Sequence, residues 1–310
     1  MIETEQSTTL FKSESEYVIE TSGLTKRFPN KLAVDHVDMH VKRGDIYGLI
    51  GKNGAGKTTA MKMILGILTP TEGTIELFGQ SDLSAARRRI GSLIEAPGIY
   101  RNCSARENMK RFALLAGGED KNIDELLRFV GLGKVGNRKA GTFSLGMKQR
   151  LGIAIALLGD PELMILDEPI NGLDPAGIKE IRELITKLNE EKGVTLMISS
   201  HLLDELGKVA TVYGIINNGL LVEEISAEEL GERSREGLKV RVDDTARAES
   251  ILKQNGIEDY QVKNDGILIH VETDRAAELN GLLVKGGVGV SELAIRNAGF
   301  EDYFIERLGK

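Results

Sequence analysis

The sequence predicts an α/β fold built on a largely parallel core sheet, followed by a small α+β appendage, and three observations carry that expectation. Ile46–Ile50, Leu163–Leu166 and Thr195–Ser199 are short, nearly continuous apolar runs, the pattern of strands buried on both faces. An amphipathic helical stretch from Ala176 to Glu191 separates the second run from the third, and strand, helix, strand at this spacing implies parallel pairing. From Gly237 onward the texture changes to a strand at Leu238–Val242, a helix at Thr245–Asn255, a hairpin around Asn264, Asp265 and Gly266, a helix at Arg275–Val284, and a last strand and helix.

Taken in order, the chain opens with a polar tail over residues 1–16, which has neither the basic start nor the apolar stretch of a signal peptide. Val18, Ile19, Val34, Val37, Met39 and Val41 alternate with polar residues, so an antiparallel region is expected there. Ile46–Ile50 runs into Gly51, Gly54 and Gly56 and then a helix from Lys57 to about Ile67. The middle of the chain reads as helical, with helices at Asp124–Val130 and at Leu145–Leu158, the latter behind Ser144 as N-cap. Tyr213–Ile216 and Leu220–Val222 flank Asn217, Asn218 and Gly219, a hairpin around an Asn-Gly turn. The expected organisation is therefore a main domain over 17–230 and a small α+β domain over 237–310.

Composition narrows the function. Of 310 residues, 41% are hydrophobic and 28% charged, the balance of a soluble globular chain with ample core. Forty Lys and Arg against 47 Asp and Glu leave a net charge of −7, which argues against general affinity for nucleic-acid phosphates or anionic lipid. Arg87, Arg88 and Arg89 read as a solvated helix face, and Met61, Met63 and Met109 as core or interface filler. The lone Cys103 forms no internal disulfide and the four histidines are scattered, so a reducing compartment and no spacing-defined metal cluster are expected. No apolar run approaches the roughly 20 residues that span a bilayer, so any work at a membrane requires spans from another chain.

The chemistry concentrates in two motifs. Gly51, Lys52, Asn53, Gly54, Ala55, Gly56, Lys57 and Thr58 match G-x-x-x-x-G-K-[ST] between a strand and a helix, the context of a P-loop. Its glycines let successive backbone N–H groups turn toward phosphate oxygens, and the helix N-terminus adds its positive end. Lys57 neutralises the outer phosphates, Thr58 offers its hydroxyl to Mg²⁺, and Thr59 follows directly in the binding set. Leu163–Leu166 then ends in Asp167 and Glu168, which delivers a metal-side carboxylate and a candidate for polarising the attacking water.

Over roughly Tyr17 to Glu224 the chain resembles the nucleotide-binding subunits of ATP-binding cassette transporters, through ordered motifs at characteristic spacing. Phe143, Ser144, Leu145, Gly146, Met147, Lys148 and Gln149 stand at the signature sequence, a short interval before Asp167. Asn171, Gly172, Leu173 and Asp174 are similar to the D-loop, and His201 to the switch histidine. Phe28 resembles the aromatic that stacks on adenine. The resemblance implies a P-loop NTPase of ABC ATPase type, with a mixed, largely parallel core sheet, an antiparallel β subdomain and a helical subdomain. It further implies a head-to-tail homodimer that sandwiches ATP between P-loop and signature. Ser144 and Gly146 would reach the γ-phosphate bound by the opposite subunit, Asp174 would join the nucleotide-binding set, and His201 would hold Glu168 in place.

Three residues depart from the family pattern, one of them Met147, where the signature commonly has glutamine. Leu145 replaces the second glycine of the signature, with Ser144 and Gly146 kept; Glu95 stands where most members carry the Q-loop glutamine, so a carboxylate is expected at the metal. Glu95, the Ser-Leu-Gly-Met signature and the ending Gly299-Phe300-Glu301-Asp302-Tyr303-Phe304 are similar to one branch, the ATPases of exporters that protect bacteria from lantibiotics and bacitracin-like peptides. That branch implies separate transmembrane permease subunits, a cytoplasmic place against the inner face of the membrane, and no nucleic-acid partner. The alternatives are a soluble cassette ATPase acting on DNA or the translation apparatus, which usually carries tandem cassettes or coiled-coil insertions, and a plain P-loop kinase, which lacks the signature.

Overall fold

The structure is a computed structural model that describes residues 15–117, 122–233, 237–263 and 266–296, together with 303, 304, 307 and 308. The polar start, the hairpin residues Asn264 and Asp265, and Gly299 to Asp302 of the C-terminal motif lie outside the described residues. The chain divides into two compact units, 1–224 and 225–310.

In chain order, the elements of the first unit are β1 (Tyr17–Phe28), β2 (Lys31–Lys42), β3 (Ile46–Ile50), α1 (Lys57–Ile64), β4 (Glu72–Leu77), α2 (Leu83–Ala86), β5 (Ile90–Leu93), α3 (Ala105–Leu115), α4 (Ile123–Phe129), α5 (Leu145–Ala156), β6 (Leu163–Asp167), α6 (Pro175–Glu190), β7 (Thr195–Ser200), α7 (Leu203–Leu206), β8 (Val212–Asn217) and β9 (Leu220–Ser226). A six-stranded sheet runs β5-β6-β7-β3-β8-β9, and the pairs β5–β6, β6–β7, β7–β3 and β3–β8 are all parallel. Every residue of β3, β6 and β7 is buried, as parallel strands covered on both faces require. β1, β2 and β4 form a separate antiparallel sheet in the order β2-β1-β4. Their inward residues, Val18, Ile19, Leu24, Val34, Val37, Met39 and Val41, join Met61, Met63 and Ile64 of α1 in one core with Leu163, Ile165 and Met197.

Several local expectations are corrected. α1 stops at Ile64, not Ile67, because Gly66 turns the chain at φ 77 and Arg87 Nε donates to the terminal carbonyl of Ile64 at 3.0 Å. The three arginines are not a uniform solvated face: Arg87 caps α1, while Arg89 bonds Glu162 and lies 3.8 Å from the centroid of Phe78. β4, β5 and α3 carry weak sequence patterns. β5 holds only four residues, and at Gly91 a Cβ would come within 2.3 Å of the Ala156 carbonyl, so close packing decides that strand. α3 is announced by a capping box, in which Ser104 and Glu107 satisfy each other's backbone N–H groups. The hairpin at Asn218 and Gly219, with φ of 49 and 87, joins β8 to β9, which lie as neighbours in the sheet.

The second unit comprises α8 (Ala227–Arg233), β10 (Gly237–Val242), α9 (Thr245–Gln254), β11 (Tyr260–Lys263), β12 (Gly266–Ile269), α10 (Ala276–Lys285) and β13 (Val290–Arg296). Its sheet runs β11-β12-β10-β13 with every pair antiparallel, the split β-α-β arrangement. Leu238, Val240, Ile267 and Ile269 of the sheet pack with Ala248 and Leu252 of α9 and Leu279 and Leu283 of α10. α10 starts at Ala276, one residue later than expected, because Thr273–Arg275 forms a 3₁₀ turn before it.

The clamp on Glu162 has a pH consequence. Arg89 Nε and Nη2 hold its two oxygens at 2.5 and 2.7 Å, Arg43 Nη1 adds a contact at 2.8 Å, and together they lower its pKa from 4.5 to about 2. A depressed carboxylate contributes stability that is complete above its unfolded value and is lost as the pH falls through the folded one. Glu162→Gln should therefore melt below the parent near neutral pH, and the gap should close between pH 4.5 and about 2; paired thermal melts across that range check it, and a gap independent of pH would contradict it.

Candidate functional site

The parallel register brings the functional residues to one edge of the six-stranded sheet. Ile50 pairs with Ser200 and Asp167 with Ser199, so β3, β6 and β7 end almost level. The P-loop, Glu168 and His201 follow those ends directly, at the carboxyl edge where open α/β sheets bind ligands.

The P-loop wraps a cleft lined by Lys31, Ala33, Lys52, Asn53, Gly54, Ala55, Gly56, Lys57, Thr58, Thr59 and Glu168. Two glycines are required sterically: a Cβ on Gly51 would lie 2.4 Å from the Ile216 carbonyl, and Gly56, at φ 115, would place one 2.5 Å from the Ala33 carbonyl. Gly56 supplies no capping side chain to α1, which leaves its first-turn N–H groups for an anion. The loop is braced from outside, since Gly219 N donates to Ala55 O at 2.8 Å and Asp35 N to Gly219 O at 2.9 Å.

Two polar chains cross the cleft floor. Lys57, only 5% exposed, donates to Gly51 O at 2.6 Å and lies 3.3 Å from Glu168 Oε1. Glu168 Oε2 in turn is 2.8 Å from His201 Nδ1, and the Glu168 backbone is held at φ 49. Beside this chain, Thr58 Oγ1 donates to Asp167 Oδ2 at 2.9 Å, and Ser199 Oγ donates to Asp167 Oδ1 at 2.6 Å. A hydroxyl and a carboxylate together are hard oxygen donors suited to Mg²⁺, which binds through one or two protein oxygens plus phosphates and water. Among the described residues there is no cluster of three His, Cys, Asp or Glu that would hold a metal alone.

The remaining sequence candidates sit apart from these chains. Phe28 is 39% exposed, pairs with Lys31 of the cleft lining, and has Lys26 Nζ 5.5 Å from its ring centroid. Ser144 is exposed and caps α5, accepting from Met147 N at 3.3 Å, and Leu145 beside it is 45% exposed. Asp174 caps α6 by accepting from Gly177 N at 2.9 Å. Gly146 faces the D-loop segment, where an added Cβ would be 3.8 Å from Leu173 Cδ2. The structure does not bring Glu95 to Thr58 and Asp167: its carboxylate is 66% exposed and pairs with Lys62 Nζ at 2.6 Å, which keeps it below its ordinary pKa. Lys31, Ala33 and Ser199 were not legible as site residues; the signal for Ser199 was a hydroxyl in a strand buried along its whole length.

No helix among the described residues is long and apolar enough to cross a membrane. Residues 34–171 match the family described as ABC transporter. The bacitracin transport ATP-binding protein BcrA of Bacillus licheniformis is 46% identical, across 94% of this chain and 97% of its own length. The lantibiotic transport ATP-binding protein SrtF of Streptococcus pyogenes is 44% identical, across 67% of this chain and 90% of its own. Among solved structures, the dimeric post-hydrolysis state of the ATP-binding cassette MJ0796, bound to ADP and Pi, superposes with a TM-score of 0.60 at 25% identity, covering 67% of this chain and 98% of that one. With the P-loop at the carboxyl edge of this sheet, and a likeness spanning nearly the whole of BcrA, the chain belongs to the ABC transporter family as one of its ATP-binding proteins.

Proposed function

We propose that this ATPase is the energy-converting subunit of an exporter that removes a peptide antibiotic of the bacitracin or lantibiotic type through separate membrane permease subunits. The observation that supports the substrate class is the reach of the likeness to BcrA, which runs through the second unit as well as the cassette. It also weighs against the reading as a soluble ATPase of DNA or translation.

In this proposal the P-loop N–H groups and Lys57 receive the β- and γ-phosphates of ATP. Phosphate oxygens compete with Glu168 for Lys57, which frees a Glu168 oxygen to orient water. His201, bonded to the other Glu168 oxygen, holds that carboxylate and meets the γ-phosphate. Thr58 and Asp167 would hold Mg²⁺, and when bound the ion supplies charge neutralisation on the phosphates as the bond to the γ-phosphoryl breaks. Phe28 offers a face for adenine, with Thr59 beside the phosphates. Ser144 and Gly146, exposed or half-exposed at the start of α5, complete the site of a second copy, and Asp174 orders the D-loop through its cap on α6. Closure of the dimer on ATP and reopening after hydrolysis would drive the permease, with the chain held against the inner face of the membrane only through that partner. Glu95 acts outside the phosphate site, in coupling.

Expressing the chain with its membrane permease in a sensitive bacterium should raise tolerance to bacitracin or a lantibiotic, and Lys57→Ala should abolish the gain; unchanged tolerance to both peptide classes would sink the substrate assignment. Glu168→Gln should bind ATP, accumulate as a dimer on size-exclusion chromatography, and lose about 10²–10⁴-fold in turnover; near-parental hydrolysis would remove Glu168 from its role. Because the Glu95 carboxylate pairs with Lys62 at the surface and not with Thr58 or Asp167, Glu95→Gln should leave nucleotide affinity within about fivefold while lowering the tolerance conferred, as nucleotide titration and growth assays would show.

A further inference from the structure

Ser199 is the buried polar side chain at the site that the proposed chemistry leaves unused. It is 0% exposed near the end of β7, where its neighbours Met197 and Ile198 are apolar. A buried hydroxyl is costly unless its donor and acceptor capacity is filled. Its register partner is Asp167, and its hydroxyl stands 2.6 Å from Asp167 Oδ1 and 2.9 Å from Glu168 N. The direction of these bonds follows from chemistry. A backbone N–H only donates, so Ser199 Oγ accepts from Glu168, and its single proton goes to the carboxylate.

We infer that Ser199 is a positioning residue that orients Asp167 for the metal and Glu168 for the water through one hydroxyl. Engaging Oδ1 of Asp167 from behind turns Oδ2 toward Thr58, where the 2.9 Å bond places the two metal-side oxygens together. Accepting from Glu168 N, alongside the Ser199 carbonyl at 3.2 Å, secures the φ 49 turn that carries the Glu168 carboxylate toward Lys57 and His201. A non-glycine residue in the left-handed region persists where its surroundings hold it there. Removing the hydroxyl leaves the strand and the Ser199 carbonyl in place but frees Oδ1 of Asp167, so that only Thr58 holds the carboxylate.

The inference rests on the assignment of Thr58 and Asp167 to Mg²⁺, and the test separates the two. Binding of a non-hydrolysable ATP analogue to the full chain is measured at equilibrium while Mg²⁺ is titrated, for the parent, Ser199→Ala, Ser199→Thr and Asp167→Asn. Outer partners of metal-side groups typically contribute about 10–100-fold to metal affinity. Ser199→Ala should therefore need at least about 10-fold more Mg²⁺ for the same tightening, with Mg²⁺-free nucleotide binding near parental. Ser199→Thr, which keeps the hydroxyl, should restore the parental titration. A parental Mg²⁺ response in Ser199→Ala, or equal losses in the Ala and Thr variants, overturns the positioning role while Asp167→Asn still abolishes the response. If Asp167→Asn itself leaves the Mg²⁺ response intact, the metal assignment is what fails, and this inference falls with it.

Discussion

The site depends on three parallel strands that end level. β3, β6 and β7 are fully buried and locked in register, so the groups that follow them cannot slide independently. A one-residue slip would turn every side chain of a strand to the opposite face of the sheet, exchanging core residues such as Ile165 and Met197 with their neighbours and moving Asp167 away from Thr58. Precision at the phosphate edge is therefore inherited from the core, where Val, Leu, Ile and Met side chains from both sheets and α1 interdigitate.

Buried charge shapes the rest. Lys57 and Asp167 are 5% and 4% exposed, and charges so placed are tolerable only when paired and hydrogen-bonded. Lys57 meets Gly51 O and Glu168, and Asp167 meets Thr58 and Ser199. These bonds hold the four groups in one arrangement at the edge of the cleft. Glu162, half-exposed and clamped by Arg89 and Arg43 beside Phe78, forms a structural ion pair away from the cleft lining.

Ser144 is not among the residues that line the cleft. The P-loop lines the cleft, whereas Ser144 stands exposed beside Leu145 at the start of α5. The exposed leucine lies directly after the exposed cap residue of α5. At Glu95 the charge selects the partner. A carboxylate finds the Lys62 ammonium, an attraction that a neutral glutamine would lack, and that pairing places it outside the Thr58–Asp167 pair.

The sequence by itself determined the P-loop, the buried strands and their α/β class, because glycine spacing and unbroken apolar runs are local signals that survive any tertiary context. It also placed Lys57, Thr58, Asp167, Glu168 and His201 on the ends of elements that the structure assembles at one edge. Short or weakly patterned elements escaped it: β5 packs closely because Gly91 lets the Ala156 carbonyl approach, and Arg87 and Arg89 are only partly exposed because one caps a helix end and the other pairs with a carboxylate. Only the tertiary structure decided that Ser199 lies behind Asp167, that Gly219 braces the P-loop, and that Glu95 turns to Lys62. Each of those contacts joins residues distant in the chain, and strand register and loop packing, which no local pattern encodes, choose the partner.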